Sequence, residues 1–552
     1  MPTQWGLPFI GIAYQFIHLN KVYRNVSRGF DEIKQLTGCV WVATTPYIVT
    51  VEPEVIKKIT SSPDYLNKAR DLYTHFHNGV INGIIVSPVQ KWKLDRKAVS
   101  PFLGHNNLMS FFSLFNENAI SVKNKLAGMA GRGEQDVYAV IKAFGLQLSI
   151  LTIMGIKMEE GTKKYDETMN AFIVLVHHMA QNSIYSSVGL GFLANTPEYH
   201  RILKYLRKLV RSLIQENLAK QVESEEMNNF DEDNQSLINL TLKAMRQGQF
   251  TEKDVEIECF TMIAASYETS ASAAFSCLVM LAMHPEIQER VFQEIRSVYP
   301  DGITSVEYED LKKFSYLDRF IAEALRLAPP IPYIGRQTVK ETELLPGLTL
   351  PKNMQIIIPI YELHRRKELW GPDADRFNPD NFLPENVAKR HPYSHMIFSK
   401  GARNCIGFRY ADFSLRVLLI NLIRSLKLST SFKYEDIVHM PKVTLSYEVE
   451  PRIAIEKPLK EINESVIKEF DNYITADKSG EQINPSLPTA VERINKPKSN
   501  INVEQQLRGI TISEHMQHLH IYFRSRGDCR NRSLRGSTQQ RKVIKQQTSI
   551  VK

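Results

Sequence analysis

Between about residues 54 and 330 the apolar side chains recur mainly at helical spacing, whereas the stretches on either side run in short apolar bursts. CVWVATT (39–45) and YIVTVEP (47–53) flank Pro46 and predict two strands joined there as a small hairpin. Thr251-Glu252-Lys253-Asp254 has the order of a capping box. No proline follows until Pro285, so one helix of roughly 50 Å is predicted, enough to cross a large domain. A second helix is predicted from about Leu311 to Ala328, where Pro329-Pro330 stops it. The run from Gln337 to Arg365 reads as turns and short strands. Beyond Glu456 the apolar recurrence ends and Gln, Asn, Ser, Lys and Arg dominate. The pattern predicts a mainly α fold with a small β subdomain over 1–456 and a disordered tail over 457–552.

The 43% apolar fraction and 26 phenylalanines supply a large core. The net charge of +9 misleads about that body, because 457–552 carries 17 basic and 10 acidic residues, or +7 of the total. A nucleic-acid or anionic-lipid partner is therefore a reading of the tail alone, and the body is not expected to bind nucleic acid. Five scattered cysteines without CxxC spacing argue against a disulfide framework or zinc ribbon and suit a reducing, cytosol-facing compartment. The opening MPTQWGLPFIGIAYQF lacks the basic and apolar regions of a secretory signal. No uninterrupted apolar run is expected to span a bilayer; Cys259 to Met283 comes nearest and is broken by Glu268 and several hydroxyls.

Cys405 stands alone in FSKGARNCIGFR, just before an apolar helical run. A single thiolate is a soft, donating ligand suited to an axial position on haem iron. The start of the following helix favours the charged sulfur. Gly401 and Gly407 free space for a flat macrocycle, Arg403 supplies a cation for a propionate, and Phe398 is placed to screen the sulfur. The alternative is an inert cysteine in a Gly-rich turn. The five fixed positions of Phe-x-x-Gly-x-Arg-x-Cys-x-Gly recur by accident on the order of once in ten thousand chains of this length, which decides between them.

On these residues the chain resembles the cytochrome P-450 family of haem-thiolate monooxygenases. FSKGARNCIG, WGPDADRFNPDNF and LHRRKELWGPDA look most like insect microsomal members related to the fatty-acid-hydroxylase branch. The resemblance covers residues 5 to about 456 and implies haem b with Cys405 as axial ligand. It implies that Trp92, Arg96, Arg336 and Arg403 hold the propionates. Glu323 and Arg326 match the family's Glu-x-x-Arg pair, and Asn381 replaces the arginine that usually joins them, so a neutral hydrogen bond is expected there. Ala265-Ser266-Tyr267-Glu268-Thr269 resembles the oxygen-activating stretch, with Glu268 and Thr269 delivering protons. Ser266 replaces a glycine, which implies crowding or an added donor in the oxygen groove. Ala265 stands where some fatty-acid hydroxylases carry the glutamate that bonds to haem, so a non-covalent haem is expected.

By the same resemblance the substrate, a hydrophobic small molecule, meets His75–Val86, Phe260–Ala265, Ile331–Ile334 with Tyr333, and a turn near Thr444–Tyr447. The chain has no nicotinamide or flavin fingerprint, so NADPH is expected to act only through NADPH-cytochrome P-450 reductase, with cytochrome b5 as a second donor. Lys91, Lys93, Lys97, Lys400 and Arg409 form the basic patch expected to receive the reductase. Microsomal members begin with a membrane anchor, whereas this chain starts at the Pro-containing hinge. Either the sequence is truncated at its start or the protein docks peripherally on the cytosolic face of the endoplasmic reticulum membrane, with SSVGLGFLAN (186–195) as one candidate dipping surface. The rival activity within this fold is an isomerase or dehydratase that rearranges peroxides without external oxygen, and the Glu268-Thr269 pair argues against it. A catalytically weak haem carrier is the other rival, suggested by Ser266.

Overall fold

The long helix organises the interior. In the structure, a computed structural model, the described residues are 2–4, 6–77, 81–187, 196–226, 236–300 and 305–457. The expected tail lies outside them, as does most of the expected dipping surface. The elements used below are β1 (Thr3–Gln4), α1 (Val22–Ile33), β2 (Thr37–Val42), β3 (Thr45–Thr50), α2 (Pro53–Ser61), α3 (Val89–Val99), α4 (Val137–Met154), α5 (Glu252–Met283), α6 (Ser315–Leu327), β4 (Ile334–Gln337), β5 (Gln355–Ile358) and α7 (Phe408–Ile423). The predicted capping box is present: Thr251 Oγ1 accepts from the Asp254 amide at 3.2 Å, and Asp254 Oδ2 accepts from the Thr251 amide at 2.9 Å. α5 is apolar on nearly every face and is buried along most of its length, as an all-round hydrophobic helix must be.

α4 packs along α5. Gly145 lets the two backbones close in, since a Cβ there would lie 3.1 Å from the Tyr267 carbonyl oxygen. Tyr138 stacks on Phe275 with ring centroids 4.4 Å apart. Against the expectation of no membrane-length apolar segment, α4 has the length and composition to cross a bilayer, with a mean hydropathy of 1.7. Its only charge is Lys142. Two thirds of it is buried against other helices, the placement of a core helix.

The β subdomain is a five-stranded sheet in the order β1-β2-β3-β5-β4. The predicted hairpin is there, but its turn is Ala43-Thr44, with Ala43 at φ 51°, and Pro46 lies inside β3 opposite Trp41. Pairing of β3 with β5 begins only at Tyr47, so the missing N–H of Pro46 costs no bond on that side. The predicted helix from Leu311 instead divides into a short turn, Tyr308–Lys313, and α6 from Ser315. Glu294, from the helix Pro285–Val298, fixes that start by accepting from the amides of Tyr316 and Leu317 at 2.8 and 2.9 Å. The apolar interior forms one large cluster among the helices and a smaller one beneath the sheet. Ile453–Glu456 ends the described chain as a strand paired with Lys427–Ser429 and Glu134–Gln135.

A buried ion pair joins α6 to the segment leading to the cysteine. Glu323 and Arg326 are both fully buried and meet twice, at 2.7 Å each. Arg326 also donates to the carbonyls of His364 at 2.7 Å and Ala374 at 2.5 Å and lies over the Trp370 ring. Glu323 Oε1 accepts from the Asn378 amide at 2.8 Å and from Asn381 Nδ2 at 3.1 Å. Glu323→Ala leaves Arg326 charged and unpaired, an expected loss of about 3–5 kcal/mol in unfolding free energy. Denaturant midpoints measure it, and an unchanged midpoint would contradict the assignment.

Candidate active site

The cysteine loop is shaped by two left-handed residues, Ser399 at φ 56° and Gly401 at φ 76°. The Cys405 amide donates to the Phe398 carbonyl at 2.9 Å and closes the loop. The space at Gly401 has a different use from the one expected. A Cβ there would sit 1.8 Å from the Thr60 carbonyl oxygen, so Gly401 lets the loop lie on α2 and is not among the cavity-lining residues. Gly407 lines the cavity, caps α7, and its amide hydrogen-bonds to Cys405.

Cys405 opens to the cavity and is otherwise enclosed by protein, so burial raises its thiol above the ordinary value. The Gly407 amide pulls the other way, followed by the charges of Arg96 and Lys68. Phe398 also lines the cavity and stands 6.4 Å from the Phe408 ring.

The cavity, about 480 Å³, has Lys68, Arg96 and Arg403 among its lining residues, with Arg336 buried beside them. Arg403 donates to the Ser87 carbonyl at 2.7 Å and lies over the Trp92 ring at 4.4 Å, while its Nε and Nη1 find no partner. Arg336, on β4, donates to the Gly335 carbonyl, and its Nη2 is also unpartnered. Burial, then Arg336, pushes Arg403 down to about 9. Burial also drives Lys68 down, with Arg336 and Arg403 adding repulsion. Such an arrangement is costly unless anions complete it. The unpaired donors fit a flat group carrying two carboxylates. Arg96 differs from the expected pattern, because both arms of its fork are placed on Asn404, at 2.9 and 2.7 Å, and steady the loop next to Cys405. Lys68 was not foreseen: it sits in no motif, and only the bridge of Asn67 to Gln337 brings it to the cluster.

On α5, Ala265, Glu268 and Thr269 line the cavity. The Thr269 hydroxyl donates back to the Ala265 carbonyl at 2.7 Å. Glu268 accepts from Thr444 Oγ1 at 2.8 Å; burial raises its carboxyl, and that bond and the charges of Lys142 and Lys442 oppose the rise. Ser266 lines the cavity too, with its hydroxyl 2.7 Å from Ser149 Oγ on α4 and 2.8 Å from the Met262 carbonyl.

Ile331, Tyr333 and Ile334 line the cavity together with Phe76, Ile81, Ile84 and Ile85. Residues 78–80 of the expected substrate loop lie outside the described residues. Phe260 stacks on Phe172 in the core instead, and Tyr447 packs edge-on against Phe275, while Thr444 faces the cavity.

Arg336→Met removes a fully buried unpaired donor. The chain prepared without haem should gain about 1–3 kcal/mol in stability, whereas haem retention should fall. Thermal melts with and without haem check the opposite signs, and a loss in both would contradict the reading of the cluster.

Comparison with known proteins agrees with this geometry. The family model for cytochrome P450 matches residues 1–448. The chain is 32% identical over 464 residues to probable cytochrome P450 313a4 of Drosophila melanogaster, covering 83% of this chain and 93% of that protein. Probable cytochrome P450 313a1 of the same fly is 33% identical over the same shares. Cytochrome P450 4c3, also from D. melanogaster, is 28% identical over 82% of this chain and 89% of its own length. The chain belongs to the cytochrome P450 family, the haem-thiolate monooxygenases.

Proposed function

We propose that the chain inserts one oxygen atom from O2 into a hydrophobic small molecule of the fatty-acid, steroid or xenobiotic kind. Two electrons come from NADPH through cytochrome P450 reductase, with cytochrome b5 able to supply the second. Two protons are consumed, and the other oxygen atom leaves as water. The observation that carries this reading is a lone cysteine, beside a ring of under-bonded cations, facing an apolar cavity. The bound haem supplies oxygen activation. The residues of the chain do the rest.

Cys405 holds the iron, with its charge favoured by the Gly407 amide and the start of α7. Arg336, Arg403 and Lys68 face the carboxylates, Trp92 supports Arg403 from below, and Arg96 fixes Asn404. Glu268, whose carboxyl burial raises above the ordinary range, and Thr269 supply protons at the α5 wall. The hydroxyl of Thr269 must leave the Ala265 carbonyl to donate into the cavity. Apolar walls from Ile81, Ile84, Ile331 and Ile334 exclude water from the substrate.

The docking face for the reductase is narrower than the sequence suggested. Lys91 is bound between Asp95 and Asp254 at 2.9 and 2.7 Å, and Lys400 lies over the Tyr393 ring. Lys93, Lys97 and Arg409 remain exposed, as do their chain neighbours Leu94 and Phe408, which add apolar surface to the cations. We place the enzyme on the cytosolic side of the endoplasmic reticulum membrane, where that reductase and lipophilic substrates meet.

The test is the visible spectrum of the purified protein, reduced and exposed to carbon monoxide, beside Cys405→Ser. A strongly red-shifted Soret band that the substitution abolishes is expected. An unshifted band, or a folded protein that takes up no haem, would defeat the proposal.

A further inference from the structure

Glu258 lies seven residues before Ala265, on the same side of α5 and two turns nearer its start. It is fully buried. Its Oε2 accepts from the Ile84 amide at 3.2 Å, and Thr261 Oγ1 accepts from the Gly83 amide at 3.2 Å. The approach is so close that a Cβ on Gly83 would lie 2.7 Å from both Glu258 Oε1 and Thr261 Oγ1. Ser87 closes the turn, its hydroxyl lying 2.8 Å from the Gly83 carbonyl and 2.6 Å from Asp95 Oδ2. The Ser87 carbonyl then receives Arg403. The 83–87 turn is therefore fastened to α5 at one end and to the cation beside Cys405 at the other, with Ile84 and Ile85 against the cavity.

Among the described residues no donor reaches Glu258 Oε1, and a second fully buried carboxyl, Asp95, lies close enough to raise it. A carboxyl buried without a donor beside a second carboxyl is favoured in its neutral form, in which Glu258 Oε1 becomes a donor. The charged groups facing the pair are Lys91 on α3, which also binds Asp254 on α5, and Arg403 across Ser87. The helix Leu237–Arg246 also packs here, with Thr241 and Leu242 buried and Lys243 and Arg246 exposed. Burial first, and Asp95 next, raise the Glu258 carboxyl to about 8, against the Ile84 amide and Lys91.

The geometry points to Glu258 as a positioning residue for the substrate cavity: as the neutral acid it bridges the Ile84 amide and Asp95, and its ionisation loosens the turn that carries Ile84 and Ile85. The cavity's role as the substrate site is taken from the function proposed above. The sign follows from linkage. The folded form keeps its proton longer than an open form does, so stability from this site falls as pH rises from the ordinary carboxyl range to about 8. Above that value both forms have lost the proton and the dependence levels off.

Hydrogen exchange of the haem-loaded full chain, followed from pH 6 to 9.5 and corrected for intrinsic rates, reads the turn directly. Titration with 4-phenylimidazole, followed by the Soret shift, reads the cavity. Protection in peptides covering 81–87 should fall about tenfold per pH unit below the midpoint of about 8 and level off above it, relative to peptides from α7, and the affinity for 4-phenylimidazole should weaken over the same range. Glu258→Gln keeps an acceptor for Ile84 and a donor for Asp95 without a charge, so both profiles should become flat at or above the protection and affinity the wild type shows at pH 6. Should that variant not fold, Asp95→Asn should move the wild-type midpoint to lower pH. A wild-type profile that is already flat, a Gln variant that keeps the pH dependence, or an Asn variant with an unmoved midpoint overturns the proposal. Loss of the thiolate Soret signature would instead count against the function above, because the exchange profile does not depend on turnover.

Discussion

The unbalanced positive charge at the cavity wall is the constraint around which this chain is built. Lys68, Arg336 and Arg403 are held out of water and repel one another, and two of them keep N–H groups with nothing to bond. A protein of marginal stability carries such a cluster only when something else completes it. That a group bearing carboxylates is what completes it follows from the donors. It also explains why the surrounding polar contacts are spent on holding positions. Arg96 steadies Asn404, Trp92 lies beneath Arg403, and Ser87 joins Arg403 to the 83–87 turn.

Rigidity behind the cluster comes from elements that do not touch the cavity chemistry. The sheet carries Arg336 on β4, and α2 receives the cysteine loop at Gly401. The Glu323–Arg326 pair, with carbonyls of three later segments on its guanidinium, anchors the chain between α6 and the cysteine loop. Arg390, which donates to the Asn381 carbonyl and lies over Trp370, brings a cation close to Glu323 although position 381 is neutral.

Much of this was legible in the sequence because the signals were local. The capping box and the absence of proline predicted α5, and the spacing around Cys405 predicted a thiolate site and, by resemblance, the family. What the sequence concealed was always decided by a distant partner. The helix predicted from Leu311 starts at Ser315 because Glu294 caps it from another helix. Gly401 is needed for Thr60 rather than for a cofactor. The Ser266 hydroxyl lies against Ser149 on another helix, and Lys91 is held between two aspartates. Lys68 lies in no pattern at all.

The fastening of the cysteine loop to the first hundred residues bears on how the molecule is assembled. Arg96 meets Asn404 across 308 positions of sequence, and Arg403 meets Ser87 across 316. Contacts of such separation form slowly, since loop-closure entropy must be met before they reward it. During synthesis the amino-terminal wall emerges long before the segment that carries the sulfur. The site therefore cannot exist until the chain has passed Cys405, and until then the prosthetic group has no complete place to go.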